Sequence, residues 1–400
     1  MAHAPHHAPA PVAEKIDPKH FGSLPTIAKG AAVVGIFFSL VGLVIESTRE
    51  QFAFSWLFAF TYFFTITVGA FFWTCLHHAT DSEWSVVVRR VWENTISLFP
   101  WLALLFLPIL IFSHSILWPW WDGPRDPGYF HKKGYLSHGF FIARYFGYFI
   151  LFSFWAMTLR NRSIAQDSDG AARHSVIMRK FGVSGIIVLG ICLTFSAFDW
   201  LMGLYYHWFS TMWGVYIFAG SAGASISLTV IVVTLLRSKG YLKPVTLEHY
   251  HVMGKYMLAF TIFWAYIGFS QYMLYWYANI PEETIYFRVR NTESWRILST
   301  MLVVGRFFIP FPILLTQWVK KKPVYLCYVA AWILCMHFLD LYVVVLPQLH
   351  YKGFSPSFFD LFAFLGVGGV VVSLWLRKLP SAFLFPTRDP RLAASLNLTN

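Results

Sequence analysis

The sequence predicts an all-α integral membrane protein of about ten transmembrane helices, and three observations lead there. Aliphatic and aromatic residues make up 57% of the 400 residues and charged residues only 12%, too apolar for a chain that must coat itself with wetted surface. Apolar stretches of roughly 20 residues, the length a helix needs to cross a bilayer core of about 30 Å, recur along the chain. Period-two alternation is absent, and helical spans satisfy every backbone amide internally, which argues against a β-barrel.

Taken in order, residues 1–29 read as a flexible cytoplasmic tail. His3, His6 and His7 stand there among Ala and Pro, and neither a charged-then-apolar start nor a small-residue cleavage site precedes Lys29. The first span is placed at 30–47 and the second at 52–76, the latter ending on His77 and His78 at the level of lipid headgroups. The third, 95–117, runs into Trp118, Trp120 and Trp121, an interfacial aromatic belt that Trp208 and Trp276 continue. The fourth, 138–159, carries Arg144, and the fifth, 181–200, carries Asp199. The sixth, 209–236, shows Gly220, Gly223, Ala224 and Ser227, small residues that allow close helix packing. The seventh, 252–275, follows His249 and His251, includes Lys255, and gives way to an acidic outer loop, Pro281, Glu282 and Glu283. The eighth, 296–318, holds Arg306 and is kinked by Pro310 and Pro312, freeing carbonyls that need a partner. The ninth, 324–346, carries His337 and Asp340; the tenth, 357–377, opens near Asp360 and leads into a cytoplasmic tail, 378–400.

Charge sets the orientation. Basic residues number about 20 on the side of both termini against about 8 on the other, so both termini are expected in the cytoplasm of a bacterial inner membrane. In a soluble protein a net charge of +12 would point to nucleic acid; sorted by loop it points to topology, and no nucleic-acid partner is expected. Cys75, Cys192, Cys327 and Cys335 all fall in spans without CxxC spacing and read as packing residues, so no metal site and no iron-sulfur cluster is expected in this chain.

Laying the second span on the sixth with a shift of 154 residues brings Tyr62, Phe64, Gly69 and Ala70 onto Tyr216, Phe218, Gly223 and Ala224. The repeat predicts two parallel four-helix bundles, spans two to five and six to nine, with the first and tenth flanking.

Ionisable side chains at membrane depth are costly and default to functional candidates. Counting ~1.5 Å per residue from the outer end places Asp199 and Asp360 near the outer surface. Arg144 and Asp340 come about a third of the way in, Arg306 lies near the middle, and His337 sits one turn below Asp340. These six residues are the candidates for a proton path opening outward. Arg–Asp pairs among them that merely lock helices together are the competing reading. Only His337 is clearly deep, so a bis-histidine haem is not expected.

Two long stretches carry a resemblance. Phe198-Asp199-Trp200-Leu201-Met202-Gly203-Leu204 continues through His207-Trp208-Phe209-Ser210-Thr211. Phe260-Thr261-Ile262-Phe263-Trp264-Ala265-Tyr266 runs on through Phe269-Ser270-Gln271-Tyr272 to Trp276-Tyr277-Ala278-Asn279-Ile280-Pro281-Glu282-Glu283. Together with Phe71 to Thr80 and Arg89-Arg90-Val91-Trp92-Glu93-Asn94, they resemble the NrfD-like (polysulfide-reductase type) membrane subunits of alternative complex III, the shorter F-type paralogue in particular. The resemblance implies a quinol:electron-acceptor oxidoreductase of a respiratory or photosynthetic chain, with quinone or menaquinone as substrate. Its implied partners are a second NrfD-like subunit, an iron-sulfur subunit, multihaem c-type cytochrome subunits and a terminal oxidase, within membrane lipid. The iron-sulfur clusters and haems belong to those partners, and this chain carries no redox centre and no catalytic residue of its own. On the shared motifs His207 and Gln271 become candidates for a quinone pocket and Glu282 and Glu283 for partner docking. Where the paralogue has an acid and a proline before the histidine, this sequence has Tyr205 and Tyr206. A secondary transporter and a purely structural membrane anchor are the alternatives.

Overall fold

A computed structural model describes residues 13–123 and 127–399; His3, His6 and His7 lie outside the described residues. Ten helices are long and apolar enough to cross a membrane: α1 Leu24–Val44, α2 Glu46–Ala79, α3 Arg89–Leu117, α4 His138–Asp169, α5 Ala172–Tyr205, α6 Trp213–Ser238, α7 Leu247–Ala278, α8 Glu293–Leu315, α9 Pro323–Gln348 and α10 Phe358–Ser381. No strand occurs among the described residues.

Helix α2 is the axis of the molecule. Its aromatic residues Phe52, Phe54, Trp56, Phe58 and Phe60 occupy every side of the helix, the pattern of a helix enclosed all round, and 89% of its apolar window is buried against 28% for α1 and for α8. Around α2 stand α3, α5, α6 and α10. Helix α4 packs on α3 and α5, while α6 packs on α7 and α9, and α8 closes against α7 and α9. The central α2/α6 contact depends on Gly69, where a Cβ would stand 2.0 Å from the Ser221 carbonyl oxygen. Its partner in the repeat, Gly223, has ordinary room. Helices α1 and α10 meet through small residues, with Gly35 against Gly366 and Gly369 against Ala32, the close approach that backbone packing in lipid favours.

Two spans are bent by π-turns. In α3 the turn Ile109–Ser113 follows Pro108; in α8 the turn Val304–Phe308 precedes Pro310 and contains Arg306. The Ile309 N–H reaches back to the Val304 carbonyl at 2.9 Å, and Pro310 has no N–H to give, so the Gly305 carbonyl is left without a helical donor. Trp332 Nε1 on α9 takes it at 2.7 Å, which is the partner the prolines called for.

Several boundaries move from their expected places. Helix α1 starts at Leu24, with Pro25 in its first turn where a missing N–H costs nothing. Helix α4 continues to Asp169, and α5 restarts at Ala172 after Gly170 turns left-handed at φ 67°. The charged residues after position 159 thus form helix rather than loop, because Arg160, Gln166 and Asp167 find partners there. Trp118, Trp120 and Trp208 are buried within the protein, whereas Trp276 is exposed. The stretch Pro281–Arg290 is a short helix, not a loop. The first and last described segments meet at one face, where the Leu384 N–H bonds the Glu14 carbonyl at 2.9 Å. That face is called the termini face below, and the other the far face.

Candidate functional site

Five helices meet at one buried polar cluster. The π-turn of α8 brings Arg306 inward, and its Nη1 donates to Asp340 Oδ2 at 2.8 Å and to His337 Nδ1 at 3.2 Å, both on α9. Tyr216 OH on α6 donates to the other oxygen of Asp340, and Trp264 Nε1 on α7 reaches Oδ2 at 3.1 Å. The guanidinium also lies over the Trp264 ring, 4.6 Å from its centroid. Gly220 on α6 makes room: a Cβ there would press on Arg306 Nη2 at 3.1 Å. Because a guanidinium only donates, His337 Nδ1 accepts and its proton sits on Nε2. Nε2 then donates to Thr65 Oγ1 on α2 at 2.9 Å, and the Thr65 hydroxyl passes its own proton to the Tyr62 carbonyl at 2.9 Å. The result is an unbroken line from Asp340 through Arg306 and His337 to Thr65. One guanidinium nitrogen is shared by an acid and a base, so a proton gained by either changes the field at the other.

A second pair repeats the first at another place. Arg144 on α4 holds Asp199 on α5 with two bonds of 2.8 Å, from Nε and Nη2, and Tyr148 OH adds a third at 2.7 Å. Arg144 Nη1 caps the Tyr135 carbonyl at 3.0 Å, and its plane stacks on the Tyr135 ring at 3.9 Å. In each half of the repeat, then, an arginine of the third helix pairs with an aspartate of the fourth. The α4/α5 pair has no histidine, and the buried Tyr135 hydroxyl beside it has no hydrogen-bond partner among the described residues. The α8/α9 pair has His337 and reaches into α2.

Asp360 stands apart from both. It accepts from Gln51 Nε2 at 2.9 Å, Ser55 Oγ, Tyr342 OH at 2.8 Å and the Ser357 N–H at 3.1 Å, with Ser357 capping α10 in return. Four donors fill the four lone pairs of this carboxylate and fix the start of α10. His350 connects to it through Gln51, at 2.8 Å.

His207 is exposed and lies against the Tyr206 ring, with centroids 4.1 Å apart. Gln271 is buried and accepts from Ser210 Oγ at 2.8 Å, tying the segment after α5 to α7. The structure does not bring these two together in one cavity. A recess at the far face is lined instead by their neighbours Tyr205 and Trp208, with Tyr286, Arg290 and Gln348. Glu282 and Glu283 occupy the first turn of the helix Pro281–Arg290, where its dipole favours them. Among the described residues no group of three or more His, Cys, Asp or Glu side chains is placed to hold a metal ion. Cys75 and Cys192 are buried packing residues, but Cys335 is exposed.

At the termini face a third polar centre is one that sequence reasoning missed. His77 and His78, expected among headgroups, are both buried, as are His249 and His251. Arg89 lies 3.1 Å from Glu93 and pairs with Asp389; Arg90 lies 3.0 Å from Glu93 and 2.6 Å from Asp167. Arg89 Nη1 donates to His77 Nε2 at 2.8 Å, and His77 Nδ1 meets Ser85 Oγ at 2.6 Å. Arg160 holds Asn94 Oδ1 at 3.0 Å. The spacing of Arg89, Arg90 and Glu93, which puts both arginines on one helical face with the acid, was the available signal. Nothing in the sequence marks Asp389, some 300 positions away, as the partner. Burial works to raise the Asp389 carboxyl, but Arg89 and Arg391 outweigh it and hold it well below the ordinary carboxylate range.

Fold and site together define a multi-pass helical membrane protein with two Arg–Asp pairs joining neighbouring spans, Arg144–Asp199 and Arg306–Asp340, the second extended by a histidine. No protein-family model matches the chain, and no curated protein matches it closely enough to count as a relative.

Proposed function

We propose that this chain is an NrfD-like membrane subunit of a quinol-oxidising electron-transfer complex, in which its own part is to carry protons and to anchor the assembly. The observation that carries the reading is the line from Asp340 through Arg306 and His337 to Thr65. An acid and an imidazole share one guanidinium nitrogen deep among five helices, an arrangement that a merely adhesive ion pair does not need. Quinol oxidation releases protons, and Asp340 and His337, held on either side of the permanently charged Arg306, are the groups here that can take up a proton and release it.

In this reading the repeat forms two four-helix bundles, α2 to α5 and α6 to α9, with α1 and α10 flanking. Both termini lie in the cytoplasm of a bacterial inner membrane, the termini face is cytoplasmic, and the far face meets the partner subunits. Those partners supply the iron-sulfur clusters and c-type haems. Glu282 and Glu283 form the docking edge, and quinone or menaquinone is the substrate of the whole assembly. A purely structural role is favoured at one place, the Arg144–Asp199 pair, a closed two-bond contact with no histidine on it.

The test is purification of the tagged chain in mild detergent and assay of quinol-dependent reduction of an added cytochrome c by what copurifies. Copurifying haem with activity supports the complex; its absence from a monodisperse preparation returns the reading to a transporter.

A further inference from the structure

The centre at the termini face is covered by the last segment of the chain. After Ser381 the described residues form no helix longer than Leu392–Leu396, yet they reach across the whole mouth. Phe385 is fully buried; the Thr387 N–H bonds Asp167 Oδ1 at 3.0 Å at the end of α4; Asp389 pairs with Arg89 of α3. Arg391 holds Asp389 at 3.0 Å and Asp81 at 3.4 Å, and Ser395 Oγ donates to the Trp84 carbonyl at 3.3 Å. Beneath this strap stands His78, 1% exposed, with neither ring nitrogen hydrogen-bonded to any described residue. Its charged and titratable neighbours are His77 on its own helix, Arg89 and Arg90 on α3, and Asp389 and Arg391 on the strap.

A buried imidazole has a donor and an acceptor to satisfy, and leaving them unpaired costs free energy that water would relieve. The strap is what excludes that water. It is not part of any spanning helix, and Asp389 is its carboxylate seated on Arg89, with further bonds from Thr387 to Asp167, Arg388 to Ser168 and Arg391 to Asp81. Helix α2 carries His78 at its end and Thr65 about 20 Å further along, and Thr65 is the hydroxyl that His337 meets.

We propose that residues 382–399 form a gate over the termini-face centre: closed, with Asp389 seated on Arg89, it keeps His78 dry, and lifted, it admits water and protons to His78 at the foot of α2. This inference rests on the proton-carrying reading for its purpose, while the gating itself is testable alone.

The experiment uses the full chain in lipid nanodiscs, with the four native cysteines replaced and Ser85→Cys added as a reporter. Ser85 is buried under the strap on the partner atom of His77. Reaction with a charged methanethiosulfonate should be at least tenfold faster in Asp389→Asn than in the reporter parent at temperatures well below the onset of each variant's own melting transition. Phe385→Ala, which withdraws an apolar anchor without touching the charges, should do the same. An unchanged rate in both variants, or a rise that appears only as the whole melting transition is lost, overturns the gate. Asp340→Asn should leave the labelling rate untouched; if quinol-driven proton release survives that change while labelling still rises in the strap variants, the proton-path reading fails and the gate stands.

Discussion

At the scale of single residues, burial decides what each charge is worth. Breaking the Arg144–Asp199 pair by Arg144→Met leaves a buried carboxylate with only tyrosines for company and should cost about 3–5 kcal/mol. Changing both residues to apolar ones of similar volume should recover most of that, since a well-packed apolar pair often matches a buried ion pair. Thermal unfolding of the single and double variants in detergent checks this, and equal losses would contradict it. At Thr65 the expectation concerns chemistry rather than size: Thr65→Val removes the acceptor for His337 Nε2–H, whereas Thr65→Ser keeps it. Proton release should fall in the valine variant and return in the serine one. The acids and arginines of these sites were legible in the sequence because ionisable residues are rare in apolar spans. That Arg144 or Arg306 pairs with Asp199 or Asp340 was legible too; which arginine meets which acid was not, since Arg306 lies in a π-turn, and Asp360, which looked alike in depth, caps a helix.

Elements are held by features of backbone geometry that a pattern of apolar residues does not record. Gly69 and Gly223 are equivalent in the repeat, yet only Gly69 has a carbonyl 2.0 Å from where a Cβ would be. Gly69→Ala should therefore separate α2 from α6 and abolish a sharp melting transition, while Gly223→Ala should be nearly silent; similar effects at both positions would contradict the packing. The proline kink in α8 was readable from Pro310 and Pro312, but its length and direction depended on Trp332, nearly 30 residues away. Trp332→Phe leaves the Gly305 carbonyl unpaired at a cost of about 1–3 kcal/mol and should speed amide exchange across the π-turn. The strap adds a pH dependence of definite sign. A carboxylate whose native pKa is depressed stabilises its contacts fully above its unfolded value of about 3.9 and loses that stabilisation as pH falls below it. For Asp389, protease cleavage after Arg391 should rise below about pH 4 and show no such rise in Asp389→Asn.

For the whole molecule, ten apolar windows in the sequence correspond to ten helices, because bilayer thickness imposes a length that composition alone reveals. What composition conceals is the polar ends, where α4 and α5 run on past their apolar limits and the chain's last residues fold back over the termini face. Depth alone also gave no warning that two Arg–Asp pairs would differ in kind, one closed on itself and one drawn out through His337 to the central helix. That difference is the basis for the proposal that the second pair carries protons. The direct measurement is quinol-driven proton release by the purified assembly, wild type against Asp340→Asn, with subunit composition verified in both. The account predicts that release falls at least tenfold while the assembly and its haem content stay intact; unaltered release from an intact Asp340→Asn assembly would contradict it.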